Sequence, residues 1–292
     1  MGTFAARSYV KGAKIQIYCT RLFFSSLHLQ THCNMISSSK SKLIRSLQQK
    51  KFRDQHQLFL VEGEKMVREM VADGPGNRFH MRELIATPEW IDSHLTMLQQ
   101  SGAELTEATQ AEIKKVSKLV TPQAVMALVS IPAMRFTTEV LINTPVLAFE
   151  SIRDPGNLGT IIRTADWFGI RHIVCTPDST DLYNPKVVQS TMGAITRVQV
   201  HYLELEALLE SKEMQGKKVF GTFMEGENIY ESSLEPDPLI LFGNESHGLS
   251  QGLIPHIRRR ITIPSFSPKG SGSESLNVAS SVAVVCSELR RR

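Results

Sequence analysis

The chain has 292 residues, 33 Lys and Arg against 29 Asp and Glu, and a formal net charge of +4. Its 41% hydrophobic and 21% charged content is that of a folded globular protein, and its length exceeds the needs of one typical domain. Four scattered cysteines (Cys19, Cys33, Cys175 and Cys286) argue against a disulfide framework or a Cys/His zinc site; no apolar run is long enough to span a bilayer, and the slight basic excess permits a nucleic-acid partner without requiring one.

Residues 1–34 carry Arg7, Lys11, Lys14 and Arg21 and no acidic residue, a composition that resembles an organelle transit peptide. Their poor hydrophobic periodicity favours the alternative, a start of translation at Met35. From Ser37 a helix is expected through Leu43, Ile44 and Leu47, and this segment carries Lys40, Lys42, Arg45, Lys50, Lys51 and Arg53 with no acid before Asp54. So dense a run of cations predicts phosphate contacts. Residues 58–61 read as a strand, 62–65 as a turn into a helix with Met66, Val67 and Met70 on its apolar side, and 84–86 as a strand. Glu104-Leu105 leads towards a helix through Ile113, and 125–129 is a buried strand. The alternation predicts a small α/β domain over 35–132, followed by a linker over 133–144.

A second α/β domain is expected over 145–292. Its strands are 146–149, 173–175, 218–222, 239–242 and 260–264. Between them lie an amphipathic helix with Ile161, Ile162, Ala165 and Phe168, stopped by Gly169, a helix from Asn184-Pro185, and a helix over 205–209. A closing helix over 275–289 buries Ala279, Val282, Ala283, Cys286 and Leu289. Short apolar strands alternating with helices predict a parallel sheet covered on both faces.

Three polar clusters follow apolar runs in this half: Asn157-Leu158-Gly159-Thr160-Ile161-Ile162-Arg163, Gly243-Asn244-Glu245-Ser246-His247-Gly248, and Ser275-Leu276-Asn277-Val278. Parallel sheets bind ligands beyond the carboxyl ends of their strands, so the clusters are expected to meet in one crevice. Turn chemistry explains most of the first cluster but not Arg163, which is either exposed at the helix edge or aimed at an anion. Glu245 fits a solvated loop as well as a site. Ser275 or Asn277 fits a helix cap. Lys269 precedes the glycines of its loop, so that loop is not a Walker A motif, and no G-x-G-x-x-G follows the first strand.

In this order, N-L-G-x-x-x-R, L-F-G-N-E-x-x-G-L and I-P…S-L-N-V-A resemble the three motifs of the SpoU (TrmH-type) branch of the SPOUT RNA methyltransferases. The stretch Lys40 to Glu69 resembles the small L30e-like RNA-binding domain that often precedes them. The resemblance implies an α/β fold with a deep trefoil knot, a homodimer, S-adenosylmethionine as cofactor, no metal, and methyl transfer to a ribose 2′-hydroxyl of RNA, with ribosomal RNA favoured. Transfer RNA as substrate, and a catalytically silent RNA-binding or ribosome-assembly protein on the same fold, are the competing readings. It also implies that Gly243, Ile263 and Leu276 hold the cofactor, and that Asn157, Arg163, Glu245, Ser275 and Asn277 form the catalytic and RNA-binding set. The protein is expected in the cytoplasm, or in mitochondria if residues 1–34 are a real transit peptide. An arginine is a poor base because it stays protonated, so Arg163 is expected to bind a phosphate and stabilise the developing alkoxide, oriented by Glu245 or Asn157. The stretch 265–274 is longer than the family's usual spacer, either a gating loop or an inert insertion.

Overall fold

The computed structural model describes residues 31–32, 35–72, 78–133, 136–267 and 275–291. Most of residues 1–34, and most of the long spacer 265–274, lie outside the described residues. The first half builds a five-stranded sheet from β1 (Thr31–His32), β2 (Leu58–Glu62), β3 (Met81–Ala86), β4 (Glu104–Glu107) and β5 (Val125–Ser130), in the order β1-β4-β3-β5-β2. Strand β5 runs antiparallel to both its neighbours, so this sheet is mixed. Its helices are α1 (Ser38–Ser46), α2 (Lys50–His56), α3 (Glu64–Ala72), α4 (Pro88–Ser93), α5 (Leu95–Ser101) and α6 (Gln110–Val116). Local chemistry starts several of them. The Ser37 hydroxyl accepts from the Lys40 N–H to cap α1, and Thr109 with Glu112 forms a capping box on α6.

The second half builds a six-stranded, all-parallel sheet from β6 (Val146–Phe149), β7 (His172–Cys175), β8 (Gln199–Tyr202), β9 (Val219–Asn228), β10 (Leu239–Phe242) and β11 (Arg259–Thr262). The order is β11-β9-β10-β6-β7-β8. Helices α7 (Pro155–Trp167), α8 (Pro185–Thr191), α9 (Leu205–Glu210) and α10 (Val278–Arg291) complete it. The central strands β6 and β10 are short and apolar throughout because both faces are covered. Leu147 and Phe149 join one apolar cluster, while Val146 and Ala148 join another on the opposite face. The predicted helical lead-in at Glu104 is a strand, and β8 adds an edge the apolar runs do not reveal. Among the described residues no helix is long and apolar enough to cross a membrane. Cys175 and Cys286 are buried, and burial pushes both thiols up to about 12, so they pack as small hydrophobes.

The two sheets are fused by a shared core. One cluster runs from Phe59, Met66 and Phe79 to Leu147, Ile161 and Val187, and the Phe59 and Tyr183 rings lie 4.8 Å apart. Polar clamps add direction. Arg197 joins Asp166 on α7 to Glu69 on α3, and Arg78 donates to the carbonyls of Ile195 and Val198. Gly193, at φ +99°, lies so close to Glu69 that a Cβ would sit 2.4 Å from its side chain. The segment expected as a free linker carries a 3₁₀ turn at Thr138–Leu141, with Leu141 buried. The Lys217 ammonium fastens it, donating to the carbonyls of Leu141, Ile142 and Thr144.

Arg53 corrects one expectation. It is only 2% exposed, with Nε 3.0 Å and Nη2 2.5 Å from Asp181 Oδ2 and Nη1 2.8 Å from the Leu47 carbonyl. It ties the two halves together and offers nothing to RNA. Lys40 is also engaged, by Glu83 and Thr106. Lys42, Arg45, Lys50 and Lys51 remain on the exposed surface. Arg53→Ala strands the Asp181 carboxylate, so it is expected to cost about 3–5 kcal/mol in guanidinium denaturation. Lys50→Ala, at an exposed site, is expected to cost less than about 0.5 kcal/mol.

His172 and His201 stack on neighbouring strands, with Nδ1 of the first 3.2 Å from Nε2 of the second. Burial is the main cause that lowers both; the charges of Arg171 and Arg78 add to it at His172, and those of His172 and Arg78 at His201, which falls to about 4. The unfolded imidazoles bind protons below about pH 6.5 while His201 in the folded state does not until about 4. Stability is therefore complete above about pH 6.5 and falls as the pH drops from there towards 4. Denaturation midpoints at pH 7.5 and pH 5 are expected to separate in the wild type and to separate less in His201→Gln, where His172 remains lowered.

Candidate active site

Strands β6 and β10 pair in parallel with Phe149 opposite Phe242, so their chains leave the sheet at one level. The Glu150 N–H donates to the Phe242 carbonyl at 3.0 Å, extending the pairing by one step. Beyond it the 243–248 turn closes on itself through two 2.9 Å bonds between the Asn244 and Gly248 backbones. Gly243 is required there, since a Cβ would sit 2.2 Å from the Gly248 carbonyl carbon. The approach that the glycine permits in this structure is to its own chain.

The three polar clusters meet at one side chain. Asp154 caps α7, its Oδ1 accepting from the Asn157 N–H at 2.7 Å, with Pro155 in the first turn. Asn157 then faces the strand ends. Its Nδ2 donates to Glu245 Oε1 at 2.6 Å, and its Oδ1 accepts from Asn277 Nδ2 at 3.2 Å. Asn277 also caps α10, its Oδ1 accepting from the Ala279 N–H at 2.9 Å. The cap and the link are two uses of one carboxamide. A second tie, from Asn244 Nδ2 to the Ser151 carbonyl at 3.1 Å, binds the turn to the chain after β6.

Other residues of the expected set stand apart from this junction. Ser275 lies two positions before the cap and is exposed, with no hydrogen bond among the described residues. Ile263 follows β11 and is half-buried against the core. Leu276 is 51% exposed. Arg163 is exposed on α7 and has no hydrogen-bond or ion-pair partner among the described residues. Six positions separate it from Asn157, a rotation of about 240° around the helix and a rise of about 9 Å. Neither Asn157 nor Glu245 orients it in this structure, because their polar groups engage each other.

The structure brings one further segment to the strand ends. Between β9 and β11 the register jumps from Gly221↔Arg260 to Glu227↔Ile261, which loops out residues 222–226. Thr222 Oγ1 donates to the Leu241 carbonyl and Thr262 Oγ1 to the Met224 carbonyl, at 3.0 and 3.1 Å. The sequence signal is Gly226, where a Cβ would sit 2.8 Å from the Arg260 carbonyl oxygen.

Asn157→Asp replaces the donor to Glu245 by a second carboxylate. It is expected to release the 243–248 turn, read as faster amide exchange at Asn244 and Gly248, and to lower stability by about 1–2 kcal/mol.

Residues 144–287 match the SpoU rRNA Methylase family and residues 39–127 the MRM3-like substrate binding domain. The 23S rRNA (guanosine(2553)-2′-O)-methyltransferase RlmP of Bacillus subtilis is 28% identical over 260 residues, covering 87% of this chain and 98% of the relative. The structure of an AdoMet-bound rRNA methyltransferase from Sinorhizobium meliloti is 26% identical, covers 89% of this chain and 98% of that one, and superposes with a TM-score of 0.75. A TrmH-family structure from Porphyromonas gingivalis is 38% identical, with 88% of this chain and 99% of that chain covered at a TM-score of 0.74. The chain therefore belongs to the SpoU, or TrmH-type, family of RNA methylases.

Proposed function

We propose that this protein transfers the methyl group of S-adenosylmethionine to a ribose 2′-hydroxyl of ribosomal RNA. The observation that carries the reading is the Asn157 junction, which ties the three motif segments together beyond the carboxyl ends of β6, β10 and β11. Gly243, Ile263 and Leu276 are assigned to the cofactor. A bare backbone turn, a half-buried aliphatic and an exposed aliphatic suit a purine nucleoside better than a phosphate. When bound, the cofactor supplies an electrophilic methyl group on a sulfonium.

The chain's own residues then have to position the hydroxyl and manage its proton. In-line displacement gains most from positioning, and a rigid junction favours it. Glu245 gives one oxygen to Asn157, and its Oε2 has no partner among the described residues, so it is available to accept from the ribose hydroxyl. Arg163 binds the neighbouring phosphate and stabilises the alkoxide as it forms. Ser275 and Asn277 face the RNA at the entrance to α10. Lys42, Arg45, Lys50 and Lys51 supply phosphate contacts on the first half. The same reading includes a knotted threading of the C-terminal segments and a homodimer. Trp167 supports the dimer: it is 85% exposed, one turn beyond Arg163 on the same face of α7. The cytoplasm is the proposed location, in line with a bacterial relative matched along nearly its whole length.

Titration calorimetry with S-adenosylmethionine and mapping of 2′-O-methylation in cells with and without the gene test the reading. Binding is expected, with loss of a methyl at one rRNA nucleotide. Arg163→Lys is expected to keep cofactor affinity and lose turnover by about 100-fold, since a point charge cannot replace a forked donor. Failure of the folded protein to bind the cofactor would make it a silent RNA-binding module, and a methyl lost from tRNA would move the substrate.

A further inference from the structure

A cavity of about 520 Å³ opens where the chains leave β6 and β10, lined by Glu150, Ser151, Arg153, Asn244, His247 and Ser250 among others. Asn244 and Ser246, both on its wall, flank Glu245 in the chain, so the cavity adjoins the Asn157 junction.

The wall is more ordered than a solvated loop needs to be. Ser151 stands at φ +57°, a left-handed conformation that a non-glycine residue adopts at a cost. Its N–H donates to Thr176 Oγ1 at 2.8 Å and its hydroxyl to Asp178 Oδ2 at 2.7 Å. The same hydroxyl accepts from Arg153 Nε at 3.0 Å, while Arg153 Nη2 reaches Asp178 Oδ2 at 2.8 Å. Hydrogen bonds from Thr176 and Ser151 hold the Asp178 carboxyl below the usual carboxylate range, so it stays charged beneath the guanidinium. Arg153 is thus fixed along one edge, and its remaining N–H groups have no partner among the described residues. Glu150 is fixed too. Its Oε2 accepts from the Ser250 N–H at 2.8 Å, and its Oε1 has no partner among the described residues.

Two carboxylates beside the cavity, Glu150 and Asp178, disfavour a phosphate. A fixed guanidinium, a fixed carboxylate and the flat His247 ring instead suit a nucleobase. Guanine alone presents two adjacent acceptors, N7 and O6, for an arginine fork, with N1–H and the 2-amino group next to them for a carboxylate. Adenine would turn its 6-amino donors towards the guanidinium, and pyrimidines have no N7. We propose that this cavity reads the guanine base of the nucleotide that is methylated, with Arg153 on N7 and O6, Glu150 on N1–H and the 2-amino group, and His247 stacked on the ring.

This inference rests on the methyltransferase reading above, and its test separates the two. The nucleotide methylated by the wild-type protein is mapped, and an rRNA fragment carrying it is assembled with a single replacement at that nucleotide. Inosine, which lacks the 2-amino group, is expected to lower wild-type kcat/KM about 10-fold but to add little to the loss already present in Glu150→Gln. In the same way, 7-deazaguanosine is expected to lower the wild type and to add little in Arg153→Met. Both variants are expected to bind S-adenosylmethionine as the wild type does. A methylated nucleotide other than guanosine, or losses that multiply independently in base and variant, overturns the base-reading pocket while the methyltransferase stands. A wild-type protein that neither binds the cofactor nor transfers a methyl overturns both.

Discussion

The pairing of β6 with β10 is the constraint on which the site depends. These two strands are far apart in sequence, yet residue for residue they run side by side, from Val146 against Leu239 to Phe149 against Phe242. A slip of one residue would turn every apolar side chain to the wrong face, so burial on both sides fixes the register. Once it is fixed, Glu150 and Gly243 must emerge together. The cap on α7, the closed turn after β10 and the carboxamide between them then follow from short stretches of chain with little freedom left.

The same logic of mutual fixation joins the two sheets. Their shared apolar cluster supplies the non-directional part of the attraction, and Arg53, Arg78 and Arg197 supply the angle. Of these, Arg53 is the most demanding, because a buried guanidinium without its carboxylate is far more costly than either left in water. The cationic residues that remain on the surface of the first half are therefore held at a set distance from the strand ends of the second. An RNA that touches both must match that spacing in its own fold.

How much of this the sequence discloses depends on how local each cause is. The apolar runs at 58–61, 146–149 and 239–242 declare themselves as strands because two-sided burial leaves no polar position in them. The caps at Ser37, Asp154 and Asn184 need only a few neighbouring residues. The polar clusters are legible as a set because each follows a strand. Arg53 is not, since nothing near it in the chain distinguishes it from Lys50 and Lys51, and its partner Asp181 is distant in sequence. Strands β4 and β8 are hidden by their polar ends. The looped-out 222–226 segment is hidden because a register jump depends on two strands at once. Asn157 sits between these cases: its type and place suggest a turn, and only the fold shows that its two amide ends reach two other segments.

Arg163 has the opposite character to its neighbours at the junction. They are bound to one another, while it is solvated and without partners among the described residues. Fixing a free arginine side chain costs on the order of 2 kcal/mol in rotamer entropy. Only a ligand that presents an anion at the right point offsets that cost, and a poorly docked RNA does not. Discrimination then arises in the ordering of one side chain as much as in the fit of a surface. In the role proposed for Arg163, an incorrect RNA that lies against the protein leaves the alkoxide without its counter-charge, so that selectivity is expressed in the rate and not in the residence time.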